Sequence, residues 1–290
     1  MRLIQTIIFT ASLTVAPFIH AAEPLAVEWH DEASDTTRIT QILNEVGALR
    51  IADPGRRTAA IARHFIGTPY VGGTLEGERE ALRVNLDELD CTTLVDVVAA
   101  LSYTLGENRS GWQDLVYNLR RMRYRNGEIN GYPSRLHYNC EWAVDNIHRG
   151  NIEDATRNIP KCFYIVRTID FMSTHRDRYK ALADSADFEA IRRVENGFRS
   201  HRFPYIKTAD TRAKEVRAAL REGDIVAFVS NLKDLDVTHL GLLVREADGL
   251  LHVLHASSAE GRVVVSAQPL PEFLRRNRQW LGIRVYRLRE

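Results

Sequence analysis

The chain has 290 residues, 44% hydrophobic and 27% charged, the composition of an ordinary globular protein with ample material for a core. Lys and Arg number 39 against 38 Asp and Glu, a formal net charge of +1, so the chain carries no basic field of the kind that binds nucleic acid. The local run Arg120-Arg121-Met122-Arg123-Tyr124-Arg125 reads as a solvated helix end rather than an RNA site.

Arg2, an apolar run from Leu3 to Ile19, and the small-residue exit His20-Ala21-Ala22 have the layout of a secretory signal over residues 1–22. That predicts an exported, periplasmic protein with no membrane span in the mature chain. In an oxidising compartment three cysteines leave at least one unpaired, and Cys140 with Cys162 is the plausible disulfide, which leaves Cys91 as the thiol available for chemistry.

Ile39, Ile42, Leu43, Val46 and Leu49 recur at helical spacing; the pattern breaks at Asp53-Pro54-Gly55, and a second helix runs through Ile61 and Phe65. A turn-rich loop, Gly67-Thr68-Pro69-Tyr70-Val71-Gly72-Gly73, follows and presents one phenol. It lacks the Lys-Ser or Lys-Thr of a phosphate loop. The step Asp90-Cys91-Thr92-Thr93 then opens into Leu94, Val95, Val97, Val98 and Leu101, so Asp90 is the expected N-cap and Cys91 lies in the first helical turn. Helix N-termini favour a thiolate and lower a cysteine's pKa; a cysteine without that polarity is inert packing. Cys91 by itself does not choose between these.

Helices are predicted over Trp112–Met122 and through Trp142, Val144 and Ile147, with Ser134-Arg135-Leu136-His137-Tyr138 leading into the latter. That cluster suits recognition of a polar ligand and equally suits a surface turn pinned to its own helix. Further on, Phe163–Val166 reads as a strand, Phe188–Val194 and Arg212–Leu220 as helices, and no repeat or linker separates a second domain. Strand signals dominate the last seventy or so residues: Asp224–Val229, Thr238–Val244, Leu250–Ala256, Val263–Val265 and Ile283–Tyr286. Helices followed by a late antiparallel sheet make an α+β arrangement.

Nucleophilic thiol chemistry needs an imidazole and a group that orients it, and the predicted hairpin carries His239 and His255. A two-residue turn at Asp248-Gly249 would place the two on opposite faces. A three-residue loop, Ala247-Asp248-Gly249, pairs Glu246 with Leu250 and Gly241 with His255, making the histidines diagonal neighbours on one face about 7–8 Å apart at Cβ. The extra residue, with Gly249 at positive φ, or an equivalent bulge, is therefore the prediction. His252, three positions from His255, belongs to the other face, and the remaining histidines lack metal-ligand spacing, so no metal is expected.

Gly67-Thr68-Pro69-Tyr70 with Gly72-Gly73, Asp90-Cys91-Thr92-Thr93-Leu94, His239-Leu240-Gly241 and His255-Ala256-Ser257, in that order, resemble the motif set of the NlpC-type papain-fold cysteine hydrolases. The closer resemblance is to an N-acetylmuramoyl-L-alanine amidase-like branch, which also has counterparts of Arg135-Leu136-His137-Tyr138 and Trp142, and it runs from about Ile61 to the C-terminus, in patches through the middle. Threonine stands where many relatives have Ser-Gly after the cysteine, and the segment between Gly106 and Leu220 is long.

The resemblance implies one papain-like domain over residues 23–290, with a helical extension at 23–60 and an insertion at 106–220. It implies Cys91 as nucleophile, His239 as base then acid, His255 as its orienting partner and Tyr70 beside the developing oxyanion. Substrate would be peptidoglycan or soluble muropeptides, with Arg135 pairing a peptide carboxylate and His137, Tyr138 or Trp142 lining the sugar side; no cofactor is implied, and the chain is expected to be a monomer. Cleavage next to D-glutamate inside the stem peptide is the enzymatic alternative, and non-catalytic binding of cell-wall fragments the alternative of another class.

Overall fold

The computed structural model describes residues 26–289; the expected signal, residues 1–22, lies outside them. Strand β1 (Val27–Trp29) leads into α1 (Glu32–Ala48) and α2 (Pro54–Arg63), then β2 (Leu82–Val84), α3 (Cys91–Gly106), α4 (Trp112–Arg123) and α5 (Asn139–His148). The middle contributes β3 (Ile152–Asp154), β4 (Cys162–Val166), α6 (Phe171–Thr174), α7 (Ser185–Gly197), β5 (Arg202–Lys207) and α8 (Lys214–Ala219). The last part is β6 (Ile225–Ser230), β7 (Val237–Arg245), β8 (Leu251–Ser257), β9 (Arg262–Val265), α9 (Leu270–Arg276) and β10 (Trp280–Leu288).

Local chemistry explains the helix starts. Asp31 and Asp53 accept the backbone N–H groups of Ser34 and Arg56, and Pro54 supplies a preset φ in the first turn of α2. The Asp53-Pro54-Gly55 break is thus the start of a helix. Ile39, Ile42, Leu43 and Val46 are buried as their spacing requires, whereas Leu49, at the C-cap, is 64% exposed.

The main sheet runs β4-β5-β10-β6-β7-β8-β9, every pair antiparallel, with β3 joined to the end of β10; β1 and β2 form a separate parallel pair. The chain is therefore α+β. One sheet face, carrying Ile225, Ala227, Leu240, Leu242, Leu254 and Ala256, packs on α1 to α5. The other, carrying Val226, Phe228, Leu243, Val253 and Val285, packs on α8 and α9. Helix α3 lies deep in the first layer, with every residue from Thr93 to Thr104 buried.

The 106–220 segment joins both layers: β3, β4 and β5 extend the sheet, and Tyr138, Cys140, Ile169, Met172, Leu182, Ile191 and Phe203 form a further small core. The expected Cys140–Cys162 bridge is not formed. Cys140 is buried in that small core, Cys162 sits on edge strand β4, and both thiols are free.

The basic run is also not a uniformly solvated helix end. Arg123 is 3% exposed and donates from Nε to Asp96 at 3.0 Å, while Arg121 pairs with Glu107 at 3.0 Å. Among the described residues no helix is long and apolar enough to cross a membrane.

Candidate active site

Cys91 is the first residue of α3, and its position is fixed by the residues around it. Asp90 accepts the N–H groups of Thr92 and Thr93 at 2.9 and 2.8 Å, and the Thr93 hydroxyl accepts Asp90 N–H at 2.8 Å. This reciprocal cap occupies donors that a helix start leaves unpaired. It also gives Thr93 a function at a position where glycine would forfeit the return bond.

The loop before it is pinned on two sides. Gly67 N–H and Tyr70 N–H donate to Val263 O and Gly261 O at 2.8 and 2.9 Å, and Leu89 N–H donates to Pro69 O at 3.0 Å. Gly67 and Gly73 both take positive φ, which their lack of a Cβ permits. The result is that Tyr70 stands beside Cys91, and burial, followed by the negative charges that Cys91 and Asp90 can carry, raises the pKa of its phenol.

The hairpin has the three-residue register. Leu242 pairs Leu254 and Val244 pairs His252, Glu246 N–H donates to Leu250 O, and Gly249 has φ +77°. His239 and His255 consequently meet: His239 Nε2 and His255 Nδ1 are 2.9 Å apart, with the rings perpendicular. A Cβ on Gly241 would come within 2.7 Å of Val253 Cγ1, 3.1 Å of Leu254 O and 3.3 Å of His255 Cβ, so a side chain there would force Val253 and the strand beside His255 to shift. His252 bonds Ser266 O and Asp248 and takes no part.

Three aromatic side chains that the sequence does not mark as functional hold this pair. Trp280 lies parallel to His239 at 5.8 Å, Phe228 approaches it at 5.4 Å, and Phe273 contacts His255 at 5.1 Å. They come from β10, β6 and α9, so no local spacing links them to either histidine.

Cys91 and His239 line one cleft of about 130 Å³, together with Thr92, Asp96, Leu136, His137, Tyr138, Asn139, Trp142, Asp236 and Leu240. By strand alternation His239 shares the face of Phe228 and Leu243, so it reaches the cleft at the end of β7, whereas Cys91 arrives from the α3 side near the Leu240 backbone. Among the described residues no hydrogen bond joins Sγ to His239.

The electrostatics oppose the pull of the helix N-terminus. Burial, and then the Asp90 carboxylate, push the Cys91 thiol up to about 11, outweighing the backbone of Leu240 and the hydroxyl of Thr92, which pull it down. Burial lowers His239 to about 3, with His255 adding to the effect, and lowers His255 to about 4. The resting proton therefore stays on sulfur and both imidazoles are neutral at pH 7. Iodoacetamide should alkylate Cys91 about tenfold faster per pH unit from 7 to 10, following the thiolate fraction. A rate already level above pH 6 would show a preformed thiolate instead.

The four residues expected to bind substrate divide. His137, Tyr138 and Trp142 line the cleft. His137 is held by Tyr132 O at 2.9 Å and by its ring contact with Tyr132, and burial lowers it to about 3; the Tyr138 hydroxyl is committed to Glu195 at 2.7 Å. Arg135 is outside the lining. Its guanidinium is buried between Glu76 at 2.8 Å and Glu80 at 3.4 Å and lies over Tyr132, so the carboxylate partners expected from substrate are already supplied by the chain. Arg135→Ala should cost about 3 kcal/mol of stability, because it strands the Glu80 carboxylate in the interior. Urea denaturation checks this; a loss below about 1 kcal/mol would assign Arg135 no supporting role.

A family model described as AmiA-like, N-acetylmuramoyl-L-alanine amidase-like, matches residues 60–283. A crystal structure of an N-acetylmuramoyl-L-alanine amidase from Bacteroides uniformis ATCC 8492 is 34% identical, with TM-score 0.77, covering 82% of this chain and 99% of that one. A structure from Bacteroides fragilis that carries a xylanase name is 35% identical, with TM-score 0.73, over 78% of this chain and 99% of that one. A Legionella pneumophila protein at 20% identity, TM-score 0.66, covering 90% of this chain and 97% of that one, shares the fold. No curated protein sequence matches. By the extent of the family match and the identity of these structures, the chain belongs to the AmiA-like, N-acetylmuramoyl-L-alanine amidase-like family.

Proposed function

We propose that this protein is a cysteine amidase of the cell wall, with a papain-like NlpC-type site, that hydrolyses the amide between N-acetylmuramic acid and L-alanine in peptidoglycan or its fragments. The observation that carries the reading is that His239, bonded to His255, lines the same cleft as Cys91. With Nε2 of His239 engaged by His255, its Nδ1 is the nitrogen left for the thiol.

In this reading substrate brings Sγ and His239 together, and Nδ1 accepts the thiol proton as Sγ attacks the lactyl carbonyl carbon. The oxyanion is met by the Tyr70 hydroxyl and the Cys91 backbone N–H. The imidazolium returns its proton to the nitrogen of L-alanine, the C–N bond breaks, and a thioester remains on Cys91. Water, deprotonated by His239, then cleaves the thioester, releasing the muramyl carboxylic acid and restoring the thiol.

Supporting the amidase over a glycoside hydrolase is the state of the cleft carboxylates. Glycoside hydrolysis uses two carboxyl groups as acid and base or nucleophile. Asp96 is tied to Arg123 at 3.0 Å and Asp236 accepts Cys140 N–H at 2.6 Å, both buried. Periplasmic location and a single papain-like domain over 23–290 belong to the same proposal. Defined muropeptides incubated with the protein and weighed by mass spectrometry test the bond: sugar and intact stem peptide as separate products support it. Cleavage after D-glutamate would replace it with an endopeptidase.

A further inference from the structure

A second concave surface lies on β1 and α4, lined by residues that do not line the Cys91 cleft. It has a volume of about 440 Å³, within the roughly 300–1,000 Å³ of small-ligand sites, and its walls include Trp29, Trp112, Tyr117, Gln113, Glu32 and Arg120. Trp29 and Trp112 meet edge to face at 5.5 Å, which fixes both rings. Gln113, Val116, Tyr117 and Arg120 recur at i, i+3, i+4 and i+7, so α4 presents them along one face. Tyr117 is 49% exposed, with the Arg120 guanidinium over its ring at 5.6 Å.

Two observations indicate what chemistry suits this groove. Three aromatic rings stand together with amide, carboxylate and guanidinium groups, and the Arg120 Nε is buried with no hydrogen-bond partner. A buried donor left unpaired costs about 1–3 kcal/mol, which a ligand oxygen would relieve. Glu32 and Arg120 are its charged walls and they cancel, which disfavours an anionic peptide and favours a neutral, polar molecule with flat apolar faces. A pyranose ring is such a molecule: its C–H face covers an aromatic ring while its hydroxyl and N-acetyl groups reach polar side chains at the rim.

We propose that this groove is a subsite for the glycan strand, holding N-acetylhexosamine rings against Trp29, Trp112 and Tyr117. The proposal rests on the cell-wall reading above and adds to it that polymer, rather than small fragments alone, is engaged. Its test is binding by Cys91→Ala protein, so loss of the hydrolase reading would leave it standing, and its own failure would leave the cleft chemistry untouched.

Chitotetraose, a soluble β-1,4-linked N-acetylglucosamine oligomer, is titrated while tryptophan emission is followed, and binding to insoluble peptidoglycan is measured by co-sedimentation. The expected result is a saturable emission change that weakens about tenfold in Tyr117→Ala and in Gln113→Ala, about 1.4 kcal/mol, with a matching fall in sedimentation. Both side chains are exposed, so folding is retained, and circular dichroism verifies it. An unchanged titration in both variants would place any signal in the Cys91 cleft and overturn the proposal. So would concentration-dependent self-association in analytical ultracentrifugation that Tyr117→Ala abolishes, since the groove would then be covered by a second copy. An absent emission change with unaltered sedimentation in both variants overturns it as well.

Discussion

Cys91→Ala protein, folded and incubated with muropeptides, is expected to lose about 10⁴-fold or more of its turnover, because deleting a nucleophile removes the covalent route and not merely one contact. The substitution is structurally mild. It removes one side-chain atom, and the α3 cap is made by Asp90 and Thr93, which remain. Thermal unfolding should therefore be nearly unchanged while product formation disappears. Cys91→Ser is expected to be almost as inactive, since a hydroxyl is much harder to deprotonate than a thiol and its oxygen lies closer to Cβ than the sulfur it replaces. Full turnover by Cys91→Ala, measured by product mass under single-turnover conditions, would remove Cys91 from the chemistry and with it the thioester.

The second large effect concerns His255. For His239 to accept a proton at Nδ1, its own proton must sit on Nε2 and be donated to His255 Nδ1, the contact seen at 2.9 Å. His255 then fixes both the tautomer and the plane of His239, as the third member of such a set does. His255→Ala should lower kcat about 10²–10⁴-fold with a much smaller change in KM, because substrate contacts are preserved while the base points its proton the wrong way. Phe228 and Trp280 still hold the His239 ring, so the scaffold should survive. His255→Asn, which keeps an acceptor oxygen near Nε2, should recover part of the loss. Equal kcat in wild type and His255→Ala, or a loss seen only in KM, would make His255 a packing residue.

Much of this architecture was legible in the residues. Asp90 as N-cap, the Cys91 helix, the helices at 112 and 139, and the buried run of β6 all follow from local rules, since capping, period and turn chemistry act within a few positions. The hairpin register was also legible, because a two-residue turn puts His239 and His255 on opposite faces and the three-residue loop puts them on one. Strands β1, β2, β3 and β5 were not. They are short or interrupted, and β5, with Pro204 inside it, owes its place to pairing with β4 and β10. Propensity is a weak guide where partners from elsewhere in the chain decide.

Residue type and local spacing are enough to nominate the side chains proposed for the chemistry and the stretches that present them: a thiol at a capped helix start, a phenol in a glycine loop, two imidazoles on one hairpin. Tertiary structure alone decided how these groups are charged and what surrounds them. Burial raises Cys91 to about 11 and lowers His239 to about 3, overriding the helix N-terminus, because desolvation depends on every neighbour packed around the site. The same reason moved Arg135 from an expected substrate ligand to a buried tie between Glu76 and Glu80, two carboxylates more than fifty residues earlier in the chain.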